Sequence, residues 1–230
     1  MLPQIVRTTN FARDAACFIL DHAGPAIAKR GLFRLGLAGG ETPRLVYAQL
    51  ATLGGNLLWS KVQITFGDER CVSPAHQESN YLMARESLLE RVALPESNVI
   101  RIRGEIAPQA AAAECEQNLA VIASRFGEPR YVHDLLLLGL GPDGHTASLF
   151  PGSPALTEKV RNVVAVRGPK PPPQRITFTF PLINASRRVC FLVDDPSKQP
   201  VVDEIVAGKS ALPAALVQPT SGALTWLLAW

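Results

Sequence analysis

Asp134–Gly152, DLLLLGLGPDGHTASLFPG, is the stretch on which the fold turns. The apolar run Leu135–Leu138 is short enough to be a buried strand, and the glycines that follow turn the chain and deliver Asp143 and His145. In an open α/β sheet such a junction lies at the carboxyl end of a strand, where side chains reach a crevice that binds ligand. The residues TASLF are expected to start a helix, with Ser148 inside it.

Working outward, strand and helix patterns alternate. Asn10 precedes a helical pattern to Arg30 that Pro25 should kink or divide. A strand is expected over Leu32–Ala38, then a turn through Gly39 and Gly40 into Thr42 as cap and Pro43 as first helical residue. Val62–Phe66 reads as a strand ending in the loop GDERCVSPAHQES, followed by a helix over Asn80–Val92 and a short strand over Val99–Ile102. Pro108–Phe126 has the composition of a long helix. Beyond the central motif, Val163–Val166, RITFTF, Val189–Val193 and the segment around Thr225–Trp230 read as strands, with GPKPPPQ as a stiff extended link and a helix from about Ser197 to Ala207. The expectation is one α/β domain over residues 1–230, a doubly wound, mostly parallel sheet with helices on both faces.

The 230 residues suit such a domain, and the 47% apolar content is spread along the chain. No run approaches the roughly 20 apolar residues of a membrane helix, and the polar N-terminal stretch MLPQIVRTTNFARDAA lacks the core of a secretory signal. A cytoplasmic protein is expected. Its four cysteines, Cys17, Cys71, Cys115 and Cys190, show neither CxxC spacing nor clustered histidines, so ordinary buried thiols are expected and a zinc site is not. A net charge of +3 without a basic block gives no support to nucleic acid or membrane as a partner.

Four constellations can carry chemistry. In LGLAGGETPRLVY, Gly39 and Gly40 free the backbone to wrap an anion at a helix start, although a glycine-rich turn can simply reverse the chain. The pattern is neither GxGxxG nor a Walker loop, which disfavours a nucleotide. In FGDERCV, Asp68, Glu69 and Arg70 follow a strand end, where a guanidinium fork can clamp phosphate or carboxylate, or where the charges are merely solvated. Asp143 and His145 flank one glycine, so an extended turn projects both to one side and lets the carboxylate orient the imidazole. A histidine, with an ordinary pKa of about 6.5, then accepts a proton from water. Lys170, Arg175 and Lys198 are late basic residues that can neutralise a phosphate or do nothing specific. GxSxG is absent, which argues against a serine nucleophile.

The combination AGGETP, GDERCVSPAHQESNY, LLLLGLGPDGHTASLFPG, QRITFTFPLIN and LPAALVQP resembles, in order and along nearly the whole chain, the 6-phosphogluconolactonase family. The resemblance implies hydrolysis of 6-phospho-D-glucono-1,5-lactone in the oxidative pentose phosphate pathway, without metal or organic cofactor, on a fold shared with glucosamine 6-phosphate deaminases. It carries the GGxTP turn onto Gly39, Gly40, Thr42 and Pro43, the DER motif onto Asp68, Glu69 and Arg70, the DGH motif onto Asp143, Gly144 and His145, the RIT arginine onto Arg175 and the late lysine onto Lys198. The implied roles are His145 as base, Asp143 as its orienting partner, and Arg70, Arg175 and Lys198 as anion contacts. Backbone amides near Gly40 or Gly144 would hold the oxyanion. The chain departs from the family in reading DPSK, with Asp195 at an expected glycine, and in carrying Glu41 beside the phosphate turn. A deaminase would need a glutamate at the position of Phe150 and a tyrosine at that of Arg70. A non-catalytic sugar-phosphate sensor would need an output module, and no helix-turn-helix precedes Leu32. The sequence leaves monomer and homodimer equally open.

Overall fold

A computed structural model of the chain describes residues 3–230. Six parallel strands form the main sheet in the order β1 (Gln4–Arg7), β9 (Ala223–Leu228), β8 (Arg188–Val193), β5 (Leu135–Gly139), β2 (Phe33–Leu37), β3 (Val62–Phe66). The central strands are buried on both faces, so the leucines of β5 read as a continuous apolar run rather than an alternating one, and in β2 the buried Arg34 is paired with Glu128. Each buried leucine of β5 contributes about 1.5–3 kcal/mol relative to exposure. The helices are α1 (Phe11–Arg30), α2 (Glu41–Leu53), α3 (Asn80–Ser87), α4 (Pro108–Arg125), the single turn α5 (Phe180–Ile183) and α6 (Gln199–Val206).

A second sheet was not legible in the sequence. It has three antiparallel strands in the order β4 (Asp68–Arg70), β7 (Gln174–Phe178), β6 (Val163–Arg167). Residues 68–70, expected as loop, are therefore a strand that continues almost directly from β3 into a different sheet. The proline-rich segment closes the turn between β6 and β7, with the Gly168 N–H donating to the Pro173 carbonyl at 2.7 Å.

Other expectations are corrected. The helix of α1 runs unbroken through Pro25, which lies on its exposed side, where water can satisfy the carbonyl that proline leaves unpaired. Gly40, not Thr42, caps α2, whose first residue is Glu41. The helix at Asn80 ends at Ser87 and is followed by a separate 3-10 turn over Leu89–Arg91. Val99–Ile102 contributes only one bridge, from Val99 to Ile64. TASLF is not a helix: Thr146 and Leu149 bridge across a tight turn, with Ala147 at φ 49°. Cys115 and Cys190 are buried as expected, whereas Cys17 and Cys71 are half-buried. Strand β1 escaped prediction because a four-residue edge strand carries too little pattern to stand out.

His133 precedes β5 and is fully buried against the rings of Tyr131 and Phe178, its Nε2 2.8 Å from the Thr65 hydroxyl. Burial, aided by the nearby Arg34 charge, pushes its pKa down to about 3. An unfolded histidine titrates near 6.5, so between these values the unfolded chain binds a proton that the folded one refuses. This contribution to stability is present above pH 6.5 and is lost as pH falls toward 3, at a slope approaching about 1.4 kcal/mol per pH unit. Urea unfolding of wild type and His133→Gln between pH 7 and pH 4 should show a shallower acid decline in the variant; equal slopes would contradict the assignment.

Candidate active site

The main sheet reverses its winding direction about β2: the chain moves outward from β2 to β3, then crosses back to β5 and on to β8 and β9. The carboxyl ends of β2 and β5 therefore diverge, and a cleft of about 350 Å³ opens between them. Its walls come from four strand ends: Ala38–Thr42 after β2, Gly67, Asp68 and Arg70 after β3, Leu140, Gly141 and His145 after β5, and Lys198 after β8. Arg175 of β7 enters from the small sheet.

Residues on a strand alternate in direction, and the β4–β7 register shows what this does to the DER motif. Arg70 pairs with Arg175, Asp68 with Thr177 and Glu69 with Ile176. Asp68, Arg70 and Arg175 consequently share one face and line the cleft. Glu69 points the other way and is buried. Its carboxylate accepts from the backbone N–H groups of Arg70, Asn80 and Tyr81, each at 2.8 Å, and from the Ser79 hydroxyl at 3.1 Å. It thus caps α3, although burial still pushes its pKa up against those donors.

Two guanidiniums opposite each other repel, and here one of them is almost inaccessible: Arg175 is 9% exposed. Burial lowers its pKa, and Arg70 lowers it further while Asp68 opposes both. Arg70 donates through Nη1 to the Glu78 carbonyl at 2.6 Å, but its Nε and that of Arg175 are buried without an acceptor from the protein. Asp68 is engaged by the Ser148 hydroxyl at 2.6 Å and the Asn80 amide at 3.1 Å. Both arginines line the cleft, and among the described residues no carboxylate is paired to Arg175, an arrangement that suits an anion.

Asp143 and His145 come together, but not through an extended turn. The Gly144 N–H donates to the Gly141 carbonyl at 3.0 Å, and Gly144 adopts φ 75°, so the chain folds tightly and brings the Asp143 carboxylate onto His145 Nδ1. With Nδ1 taken, Nε2 is the nitrogen left for chemistry. Burial pushes Asp143 up, but its hydrogen bond to His145 and that residue's charge outweigh this, leaving the carboxyl below its usual range. Gly144 itself does not reach the cleft, and its N–H and carbonyl are both used, the latter by Ala214 N–H at 3.0 Å. It shapes the turn and cannot serve as an oxyanion donor.

Asp195 does not displace Lys198. It sits in the extended region at φ −94°, which needs no glycine, and its carboxylate accepts from Ser197 N–H at 2.9 Å, capping the turn that carries Lys198 to the cleft. Glu41 lines the cleft, but its carboxylate is paired with Arg44, whose Nε lies at 2.8 Å, and this offsets its charge toward an anion there. Thr42 lines the cleft but does not cap α2; its hydroxyl donates to Asp194 at the end of β8. Lys170 stands outside the cleft. Sequence reading missed Ser148 and Asp194, whose contacts come from segments distant in sequence, and Asn80 and Tyr47, whose partners lie 12 and 9 residues earlier. The Tyr47 hydroxyl accepts from Ala38 N–H at 2.8 Å and donates to the Ala38 carbonyl at 2.9 Å, pinning the end of β2 beneath the glycine turn.

With this geometry in hand, the chain can be set beside known proteins. Residues 7–226 match the family described as glucosamine-6-phosphate isomerases/6-phosphogluconolactonase. The chain belongs to this family. It is 44% identical over 207 residues to a 6-phosphogluconolactonase of a Synechocystis species, covering 88% of this chain and 84% of the relative. It is 40% identical over 204 residues to that of Rattus norvegicus, covering 86% and 79% respectively. The crystal structure of 6-phosphogluconolactonase from Thermotoga maritima superposes with a TM-score of 0.87 at 26% identity, covering 99% of this chain and all of the other. Among the described residues no helix is long and apolar enough to cross a membrane.

Gly141 makes the Asp143–His145 pairing possible. A Cβ there would lie 2.0 Å from His145 Nδ1 and 2.7 Å from Asp143 Oδ1. Gly141→Ala should therefore leave the fold intact but displace the pair, and lower kcat on the family's lactone substrate by about 100-fold. Circular dichroism and steady-state kinetics check this; full activity would show that the pairing is dispensable.

Proposed function

We infer that this chain is a 6-phosphogluconolactonase, hydrolysing 6-phospho-D-glucono-1,5-lactone to 6-phosphogluconate in the oxidative pentose phosphate pathway. One observation carries the reading: a single cleft holds both an imidazole backed by a carboxylate and a pair of opposed guanidiniums. The first suits activation of water and the second a phosphoryl group. Residues 1–230 act as one domain in the cytoplasm, as a monomer or homodimer. The names of the relatives support the substrate, and the roles of the residues are our assignment.

The phosphate binds Arg70, Arg175 and Lys198, assisted by the amides at the start of α2 near Gly40, Thr42 and the Gly39 turn. A helix start of this kind favours an anion. Asp68 is the buried acid that holds this wall together through Ser148 and Asn80, and it limits the site's net positive charge. With the substrate anchored by its phosphate, the lactone carbonyl lies beside His145.

Nε2 of His145 takes a proton from water as the water oxygen bonds to the carbonyl carbon, while Asp143 holds the tautomer through Nδ1 and stabilises the imidazolium. Negative charge collects on the carbonyl oxygen, which needs a donor other than the Gly144 N–H, since that amide is engaged by the Gly141 carbonyl. The tetrahedral species collapses by breaking the bond to the ring oxygen, which receives the proton back from Nε2 and leaves as a hydroxyl. A δ-lactone is electrophilic enough for one base and good positioning to suffice.

With lactone generated in situ and loss measured above spontaneous hydrolysis, His145→Ala should lower kcat by at least about 100-fold. Arg70→Ala should raise KM about tenfold with a smaller change in kcat. An unchanged KM would contradict the anion clamp. Ammonia release from glucosamine 6-phosphate by the wild type would contradict the lactonase reading itself.

A further inference from the structure

The aromatic ring of Phe150 touches both halves of the site. Its ring centroid is 4.6 Å from that of His145, with the planes tilted by 39°. The Arg175 guanidinium carbon lies over the same ring at 5.7 Å from its centroid. Phe150 is buried, and the packing around it is tight: a Cβ at Gly168 would come within 2.9 Å of Phe150 Cε2 and 3.0 Å of Arg175 Nε. The ring is also a wall of a second cavity of about 810 Å³, on the far side of the Asp143–His145 turn.

We propose that Phe150 is a positioning residue for hydrolysis, fixing the plane of the His145 imidazole and presenting a π face to the imidazolium that forms when water is deprotonated. The proposal rests on the reading of His145 as the base. A benzene face attracts a cation within about 6 Å, and the attraction strengthens where water is excluded. Neutral imidazole gains little from it, so the interaction is stronger after proton transfer than before, the condition for raising kcat rather than merely tightening binding. The ring thus lines the second cavity on one side and packs against the imidazole on the other.

The charged group in contact with the imidazole is Asp143 on its own turn; the others that line the same cleft are Asp68 and Arg70 on β4, Arg175 on β7, Lys198 after β8 and Glu41 at the start of α2. Of the cations among them, Arg175 shares the Phe150 ring with His145. Removing the π face while keeping an apolar side chain isolates the ring's electrostatic part from its packing.

The experiment compares Phe150→Leu, Phe150→Tyr and His145→Ala with wild type, measuring kcat, KM and the pH dependence of kcat/KM on lactone generated in situ. A second readout is the NMR titration of the His145 imidazole. Phe150→Leu should lower kcat about tenfold with KM within twofold, and its acid limb and His145 titration should both move to lower pH. Phe150→Tyr, which keeps the π face, should restore kcat to within about twofold of wild type. Wild-type kcat and an unmoved His145 titration in Phe150→Leu would overturn the proposal while leaving the lactonase reading standing. Equal losses in the Leu and Tyr variants would also overturn it, by showing that only packing matters. Full turnover by His145→Ala would remove the base and this proposal together.

Discussion

Two guanidiniums held opposite each other across a pair of short antiparallel strands are the constraint from which the rest of this site follows. Like charges at directly paired positions destabilise a sheet, and Arg175 adds the cost of removing a cation from water. The chain surrounds the pair with hydrogen-bonded groups. Asp68 is fixed by Ser148 and Asn80, and Arg70 is tied to the Glu78 carbonyl. Glu69 stitches β4 to the start of α3. A like-charged pair held in this way does not serve stability, and it suits an anionic ligand.

The small antiparallel sheet makes this possible. A purely parallel sheet offers only its strand ends to a ligand, and four of them converge here. By leaving the main sheet immediately after β3, the chain lays β4 and β7 across the mouth of the cleft. The mouth then acquires side chains at a two-residue spacing, pointing inward from a rigid ladder. The opposite wall is a single turn at the end of β5, in which Gly141 leaves room for the Asp143–His145 pair and Gly144 supplies the left-handed bend.

Much of the main sheet could be read from the sequence because its strands are buried on both faces and announce themselves as apolar runs: LLLL at β5, VQITF at β3, VCFLV within β8. The glycine turn at residues 39–40 and the DGH turn were legible for a related reason, since each interrupts such a run with glycine and polar residues. What was hidden depends on tertiary pairing. Three residues, DER, are too few to show a strand period, so β4 and the Arg70–Arg175 register were invisible. TASLF has the composition of a helix start, but Ser148 is drawn into the core by Asp68, eighty residues earlier, and the local preference loses. Thr42 likewise looked like a cap and instead meets Asp194 across the cleft. The carboxylate beside the histidine was expected, although the tight bend that joins them was not.

The central claim, that Arg70 and Arg175 form a receptor for a phosphoryl group, is tested most directly by thermal unfolding in the presence of 6-phosphogluconate and of gluconate, which lacks the phosphate. Ligand that binds only the folded state raises Tm. The account predicts that 6-phosphogluconate raises the Tm of wild type, that gluconate at equal concentration does not, and that Arg175→Met abolishes the difference. Equal stabilisation by both compounds, or a phosphate-dependent rise that survives in Arg175→Met, would contradict it.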